Sequence, residues 1–210
     1  MKIDCLVLGA YETNCYVLRG SEETEDCLIL DPGLGAGRLT SFLKETHLNP
    51  AAVVLTHGHI DHIAGLASLR LNYPQVKVHV HSLDAAMLTE PRANLSAMTG
   101  GSFKAAPADG MLEDNSIVEH AGVRLEVLHT PGHTPGGICL YARTEKVVFT
   151  DDALFAGSIG RTDFPAGSTK QLLKSVRKKL FTLPDETIVY PGHGPASTIG
   201  REKEQNPFFR

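Results

Sequence analysis

The chain has 210 residues, of which 42% are hydrophobic and 21% charged, and its formal net charge is -4. These proportions are typical of a soluble globular domain, and we expect a single domain over residues 1–210. No apolar run approaches the roughly 18 residues of a membrane span, and the N-terminus lacks a signal-peptide pattern. A weakly acidic balance also disfavours a nucleic-acid binder. We therefore predict a cytoplasmic protein that binds neither membranes nor nucleic acid.

The first half of the chain begins with short strands and continues with alternating helices and strands. Apolar runs bounded by Gly, Asn, Asp or Pro predict strands at residues 5–8, 15–18 and 27–30. Helical spacing of apolar residues follows at 37–48 and 62–71, on either side of a buried strand at 51–55. A strand at 76–80 then leads into a helix from 82 to 89, with Ser82 as its N-cap.

In the second half, residues 91–114 are rich in Pro, Gly, Ala and Asn and have no clear period, which predicts a loop or lid. Strands are predicted at 117–118, 123–128, 138–141 and 147–149, then a basic amphipathic helix at 169–180 and a strand at 187–190. Strands therefore come first, followed by βα units, strands and a last βα unit. This order predicts an α/β sandwich of two mixed sheets with helices outside.

The four cysteines are Cys5, Cys15, Cys27 and Cys139, and none of them forms a Cys-x-x-Cys pair. We interpret them as small core residues of an intracellular chain. A nucleophilic role for Cys15 or Cys139 is the alternative, although no neighbour in the sequence lowers a thiol pKa.

Ten histidines stand out from this ordinary composition, and three of them lie in Thr-His-Gly-His-Ile-Asp-His at residues 56–62. Side chains two apart in an extended segment point the same way, so His57 and His59 can hold one ion. Asp61 and His62 fall in the first turn of the next helix, where they are better placed for a second ion. Imidazole and carboxylate ligands suit zinc, iron or manganese.

Further residues of the types that bind metal ions follow the ends of three later predicted strands. They are His129 and His133, Asp151 and Asp152, and His193. Ligand sites of α/β folds gather at such strand ends. A purely structural zinc site is the main alternative, but such sites rely on cysteine and close all four ligand positions. Capping or surface roles are expected for His47, His79, His81 and His120, and His129 is expected to be structural or a neighbour of the ligands.

The sequence resembles the metallo-β-lactamase superfamily over nearly its whole length, and within it the glyoxalase II (hydroxyacylglutathione hydrolase) group. The matching motifs lie at residues 14–16, 30–33, 56–62, 89–96, 129–136, 149–155, 160–164 and 191–194. This resemblance implies a four-layer αββα sandwich with a dinuclear metal centre at its rim.

By position, the resemblance implies a first metal held by His57, His59 and His133, a second held by Asp61, His62 and His193, and Asp152 as the bridge. Two divalent ions are expected, with zinc preferred and iron or manganese as alternatives. Arg161, in Gly-Arg-Thr-Asp-Phe, is a candidate contact for an anionic substrate group, with an ordinary surface arginine as the alternative.

Two departures from the family pattern matter. Asp151 stands where the family usually has glycine, which adds a carboxylate near the metals and either supports the ligands or alters metal preference. The C-terminal helical domain that helps full-length glyoxalase II hold glutathione is not found by residue 210, so the chain resembles the shorter bacterial type. Glutathione specificity therefore stays open.

The predicted activity is hydrolysis of a small-molecule thioester, such as S-lactoylglutathione, by a metal-bound hydroxide that Asp61 helps to orient. A monomer or small homo-oligomer is expected. The main alternative is a persulfide dioxygenase with one iron held by His57, His133 and Asp152. Two further alternatives are a lactonase or β-lactamase and a non-catalytic metal-binding module. Zinc β-lactamases of the main type have Cys at the position of Asp152, which disfavours a β-lactamase.

Overall fold

Two six-stranded sheets pack against each other in the computed structural model, which describes the whole chain apart from the side chain of Thr99. The strands of the first sheet are adjacent in chain order, β1 (Lys2–Leu8), β2 (Thr13–Arg19), β3 (Asp26–Leu30), β4 (Asn49–Val54), β5 (Lys77–His81) and β6 (Gly110–Leu112). The pairs from β1 to β3 are antiparallel, and those from β3 to β6 are parallel.

The second sheet also keeps chain order, with β7 (Ile117–His120), β8 (Val123–His129), β9 (Ile138–Ala142), β10 (Val147–Asp151), β11 (Ile188–Pro191) and β12 (Ser197–Thr198). Only β10 and β11 run parallel, and the intervening chain supplies the crossover helix that such a pair needs. Both sheets are therefore mixed, as the order of predicted elements indicates.

Helices cover the outer faces of the sheets. They are α1 (Ala36–Glu45), α2 (Ile60–Ile63), α3 (Leu66–Asn72), α4 (Thr169–Ser175), which a π-helical turn at Val176–Leu180 continues, and α5 (Ile199–Gln205). Short 3₁₀ helices lie at Ser82–Leu88 and Ser96–Thr99. Among the described residues, no helix is long and apolar enough to cross a membrane.

Three apolar clusters define the layers. The central cluster joins the sheets, with Leu30 and Val54 of the first sheet packed among residues such as Leu125 and Leu140 of the second. On the outer face of the first sheet the cluster includes Leu39, Leu43, Leu66 and Leu69 of α1 and α3. Its counterpart on the second sheet includes Leu172, Val176 and Ile199. The four-layer αββα sandwich is confirmed.

Some local predictions are wrong. Ser82 is not the cap of the helix that follows β5, because the Nδ1 atom of His81 accepts the backbone N–H of Leu83 at 3.2 Å and the helix is 3₁₀. The single helix predicted at 62–71 is two helices, and the loop predicted at 91–114 contains a 3₁₀ helix and β6. The last strand and helix, at 197–205, have no counterpart among the predicted elements.

The cysteines divide between core and surface. Cys15, Cys27 and Cys139 are buried as predicted, but Cys5 is exposed because it lies on the solvent side of the edge strand β1. Burial raises the pKa of Cys27 and of Cys139 to about 12, which keeps both thiols protonated at neutral pH. The structure therefore offers no support for a cysteine nucleophile at Cys139.

The C-terminal helix α5 holds the segment that follows β10. The carboxyl group of Glu202, which is 1% exposed, accepts the backbone N–H of Gly157 at 2.8 Å and the side-chain amide of Asn206 at 2.8 Å. It also accepts the hydroxyl of Ser197, and Asn206 donates to the carbonyl of Ser158 at 3.0 Å. Residues 157–158 are thus tied to the last helix by buried hydrogen bonds.

Replacing Glu202 with alanine is expected to lower the free energy of unfolding by about 3 kcal/mol, because buried donors lose their acceptor. Guanidinium denaturation of Glu202→Ala measures the change. Glu204→Ala, on the exposed side of the same helix, is the matched control and should stay within about 0.5 kcal/mol of the unsubstituted protein. Equal stability of the two variants contradicts the role assigned to Glu202.

Candidate metal centre

The predicted ligands meet at one rim of the sandwich because strands from both sheets end there. His57 and His59 follow β4, His133 follows β8, Asp152 follows β10 and His193 follows β11. Asp61 and His62 lie in α2, the helix that begins directly after His59. All seven residues predicted from the sequence as metal ligands are therefore brought together.

The first group, cluster 1, consists of His57, His59 and His133, all of which are buried. The Nδ1 atom of His59 lies 3.0 Å from Nε2 of His57 and 2.9 Å from Nε2 of His133. Burial and the neighbouring imidazoles lower the pKa of His59, and burial lowers the pKa of His133. Both rings are neutral at physiological pH and present lone pairs to a common point.

The second group, cluster 2, consists of Asp61, His62 and His193. One oxygen of Asp61, Oδ2, lies 3.3 Å from Nε2 of His62 and 3.4 Å from Nε2 of His193, and the two Nε2 atoms are 3.4 Å apart. Burial opposes ionisation of Asp61, but the adjacent His62 and His193 outweigh it and hold the pKa of Asp61 below its usual range. Asp61 is therefore a carboxylate.

Asp152 lies between the two clusters. Its Oδ2 atom is 3.4 Å from Nε2 of His133, while Oδ1 is 3.6 Å from Nε2 of His193 and 3.8 Å from Nε2 of His62. The buried Oδ1 atom has no hydrogen-bond partner among the described residues. Gly192 leaves room for it, since a Cβ atom there would lie 2.5 Å from Oδ1. Asp152 therefore lies within reach of both clusters.

The donor sets fit divalent metal ions. Ligand atoms around a tetrahedral zinc ion lie roughly 3.3 Å apart. This separation matches the three distances between candidate ligand atoms in cluster 2 and is slightly longer than the two distances given for cluster 1. Imidazole nitrogens so close together, and an unpartnered buried carboxylate oxygen, are costly unless a cation lies among them. Each cluster offers three protein ligands, so each leaves a coordination position for a water or a substrate.

The outward-facing ring nitrogens of two ligands donate to backbone carbonyl groups. His133 uses Nδ1 to contact the carbonyl of Arg161 at 2.7 Å, and His193 uses Nδ1 to contact the carbonyl of Tyr11 at 2.9 Å. With the proton held on Nδ1, the Nε2 lone pair of each ring faces its cluster. Such contacts fix both tautomer and ring orientation.

Asp151 and Asp31 lie behind the histidines. Oδ2 of Asp151 contacts Nδ1 of His57 at 2.6 Å, and Oδ1 lies 3.1 Å from Nδ1 of His62. Burial alone would lower the pKa of His57, but Asp151 outweighs burial and raises it to about 9. Asp31 accepts the backbone N–H and hydroxyl of Thr56 at 2.8 and 2.6 Å, and its Oδ2 lies 3.3 Å from Nδ1 of His62.

Asp84 is a supporting residue that the sequence analysis missed. This fully buried carboxylate accepts the N–H of Gly58 at 3.2 Å, the hydroxyl of Thr134 at 2.7 Å and the N–H of Gly136 at 2.6 Å. It therefore joins the segment that carries His57 and His59 to the segment that carries His133. Its position in the first turn of the 3₁₀ helix after β5 gives no local sign of these contacts.

His129 does not join the ligands. Its ring stacks on that of His81 at 4.1 Å, and its Nε2 contacts the carbonyl of Pro135 at 2.9 Å. The rings of His79 and His120 lie 5.8 Å apart in a tilted arrangement. These four histidines have structural roles, as expected, and His129 supports the segment that carries His133 through its side-chain contact with Pro135.

The first sheet also holds the segment that carries His193. Asn14 donates its backbone N–H to the carbonyl of Gly192 at 2.8 Å, and its side-chain amide to the carbonyls of Pro191 and Gly194 at 3.0 and 2.9 Å. Tyr16 donates its hydroxyl to the carbonyl of Pro191 at 2.6 Å. Residues of β2 thus fix a ligand segment that follows β11 of the other sheet.

A cleft of about 540 Å³ opens over both clusters. Its walls combine the ligands with mostly apolar side chains, which are Tyr11, Ile60, Leu95, Met98, Phe155, Ile159 and Phe164. Arg161 also lines the cleft, with Nε and Nη2 each 2.7 Å from a carboxylate oxygen of Asp163 and its guanidinium 4.0 Å from the centre of the Phe164 ring. The open positions of the clusters therefore face a space large enough for a small molecule.

A family model described as the metallo-beta-lactamase superfamily matches residues 8–193. The chain belongs to this superfamily. Two curated relatives are similar over the whole chain and 98% of their own length: the probable metallo-hydrolase YqgX of Bacillus subtilis (strain 168), 37% identical, and the hydroxyacylglutathione hydrolase GloC of Haemophilus influenzae, 36% identical. The glyoxalase II-like resemblance is thereby confirmed at the level of the family.

Solved structures of superfamily proteins superpose closely. The BLEG-1 B3 metallo-beta-lactamase is 38% identical with a TM-score of 0.93, covering 99% of each chain. TTHA1623 in a di-iron-bound form is 35% identical with a TM-score of 0.85, covering 98% of this chain and 99% of that one. ETHE1 from Myxococcus xanthus is 32% identical with a TM-score of 0.80, covering 99% and 84%. Fold and donor set together support divalent metal binding.

The two clusters predict two metal equivalents per chain, measurable by elemental analysis after dialysis. His59→Ala is expected to lose the ion of cluster 1 and His193→Ala the ion of cluster 2, because each leaves only two protein ligands of its own cluster in place. His47→Asn, at an exposed position with a positive φ that asparagine tolerates, is the control and should keep two. Full metal content in either ligand variant contradicts the assignment.

Proposed function

We propose that the protein is a metal-dependent hydrolase that cleaves small-molecule thioesters such as S-lactoylglutathione. The observation that carries the proposal is the pair of three-ligand clusters, joined by Asp152, that open onto one mostly apolar cleft. Similarity to the hydroxyacylglutathione hydrolase GloC supports the thioester as the bond that is cleaved. A purely structural metal site has no need of open positions facing a cleft.

In this proposal His57, His59 and His133 would hold one ion, Asp61, His62 and His193 would hold the other, and Asp152 would be a ligand shared by both. When bound, divalent ions supply Lewis acidity that activates water and polarises the carbonyl oxygen of a substrate. Zinc is the metal we propose, and the di-iron form of TTHA1623 makes iron the first competitor to measure.

Asp61 has a second role in the proposed reaction. Its carboxylate lines the cleft and its pKa lies below the usual range, so it accepts hydrogen bonds at neutral pH. We assign it the orientation of the attacking water. A thiolate is a good leaving group, so the reaction needs no strong acid on the protein.

The cleft walls indicate how a thioester would lie. The apolar side chains near the ligands, Ile60, Phe155 and Ile159, suit the acyl and methylene parts of a substrate. Arg161 lies at the cleft with Nε and Nη2 paired with Asp163, while Nη1 has no hydrogen-bond partner among the described residues. We assign Nη1 the contact with an anionic group of the substrate.

The direct test is turnover of S-lactoylglutathione by the zinc-loaded protein, measured as the release of the thiol. Removal of metal with a chelator and the substitution His59→Ala are each expected to lower kcat/KM by at least about a thousandfold, because the water loses its activation. Re-addition of zinc should restore the chelated protein but not the variant. Unchanged thioesterase activity in His59→Ala rules out the metal mechanism.

Two other activities belong in the same assay panel. Oxygen uptake with glutathione persulfide by the iron-loaded protein would favour the oxidoreductase alternative, which uses His57, His133 and Asp152 alone. Hydrolysis of a β-lactam or lactone in preference to thioesters would favour the other hydrolase alternative, which the similarity to the BLEG-1 B3 metallo-beta-lactamase makes worth measuring. Hydrolysis of the thioester alone supports our proposal.

The role of Arg161 predicts a change in KM rather than in kcat. Arg161→Gln is expected to raise KM for S-lactoylglutathione about three- to tenfold, because one charge-assisted hydrogen bond to a substrate carboxylate is lost at an exposed site. The lactoyl thioester of uncharged N-acetylcysteamine should show no such change. Arg201→Gln, at an exposed position on α5, is the control variant. Equal effects on both thioesters contradict an anion contact.

A further inference from the structure

Asp151 approaches the outer ring nitrogen, Nδ1, of one histidine in each cluster. It ends β10, is 5% exposed, and takes a positive φ of 47°. Oδ2 lies 2.6 Å from Nδ1 of His57, in cluster 1, and Oδ1 lies 3.1 Å from Nδ1 of His62, in cluster 2. In both rings the opposite nitrogen, Nε2, faces the cluster.

The contact with His62 pairs two atoms that nothing else satisfies. Nδ1 of His62 and Oδ1 of Asp151 are both buried, and neither has a well-directed hydrogen bond in the described part of the chain. Asp31 also lies near this nitrogen, at 3.3 Å, but its Oδ2 already accepts the hydroxyl of Thr56 at 2.6 Å. Asp151 is therefore the nearer of the two acceptors for the Nδ1 proton of His62, at 3.1 Å against 3.3 Å for Asp31.

His57, His62 and Asp151 could instead be taken as a third metal site, since their ligand atoms lie within 4.8 Å of one another. The separation of 2.6 Å between Nδ1 of His57 and Oδ2 of Asp151 argues against that. It is the length of a charge-assisted hydrogen bond and shorter than the roughly 3.3 Å between ligands of one tetrahedral ion. The group is a hydrogen-bonded support behind the two clusters.

We propose that Asp151 is a positioning residue shared by the two clusters, which orients His57 and His62 together and thereby raises the affinities of both metal ions. Acceptors on the outer nitrogen of a metal-bound histidine fix its tautomer and typically contribute about 10- to 100-fold in metal affinity. A single carboxylate that serves one ligand of each cluster extends this effect to both ions. The inference rests on the two-ion centre of the proposed function and not on the identity of the substrate.

The test is a zinc titration of the metal-free protein in competition with a chromophoric chelator, which gives two dissociation constants. The ions are assigned with His59→Ala and His193→Ala. Asp151→Gly removes both contacts and suits the positive φ, and we expect it to raise both constants by about tenfold or more. Asp31→Asn is the matched control, because Asp31 contacts His62 but not His57, and it should raise only the constant assigned to cluster 2.

Visible absorption of the cobalt-loaded protein supplies a second readout, since a merely structural loss would not alter the ligand field of both ions. The thermal midpoint of each metal-free variant shows whether it folds. If Asp151→Gly does not fold, Asp151→Asn carries the test, because an amide tolerates the positive φ and removes the charge from both imidazoles.

The proposal is overturned if both dissociation constants of Asp151→Gly stay within about twofold of those of the unsubstituted protein. It is also overturned if only one of the two constants changes. Failure of the unsubstituted protein to bind two ions would instead overturn the centre itself. That result is read first, so the failure of the inference and the failure of the proposed function are distinguishable.

Discussion

Four strands of two different sheets, β4, β8, β10 and β11, end at the same rim of the sandwich, and every candidate metal ligand depends on that convergence. Cluster 1 takes two ligands from the segment after β4 and one from the segment after β8. Cluster 2 takes two from α2 and one from the segment after β11. Neither sheet alone carries a complete cluster, so the central apolar layer between the sheets is also what assembles the site.

The rim concentrates buried charge, which is costly unless each group has a partner. The carboxylates meet this demand in different ways. The oxygens of Asp84 accept hydrogen bonds from backbone N–H groups and a hydroxyl, whereas Asp151 directs Oδ2 to Nδ1 of His57 and places Oδ1 3.1 Å from Nδ1 of His62. Burial and the negative charge of Asp151 raise the pKa of Asp31, while His57 and His62 hold the pKa of Asp151 low. Inner ligands and outer supports therefore form one electrostatic unit.

The strands, the helices and the pairing of His57 with His59 were predictable from short-range pattern, whereas the meeting of His133, Asp152 and His193 with them was implied by the family resemblance. The two-residue alternation of His57 and His59 after a buried strand, and the helix that begins at Ile60, follow from short-range pattern. Asp84 and Glu202 were not predictable, since their partners lie up to 52 and 45 residues away in sequence. His81 replaced Ser82 as a cap because its ring folds back on the next turn, which residue preferences do not foresee.

The hydrogen bonds of Asn14 and Tyr16 to residues 191–194 join the N-terminal and C-terminal parts of the chain at the boundary between the sheets. An ion held by His193 would therefore act at the same boundary between the sheets as these hydrogen bonds. By linkage, the free energy of binding that ion is also free energy of docking one sheet on the other. Metal bound at His193 would therefore stabilise the contact between the two sheets, and its removal would weaken the contact of β2 with residues 191–194.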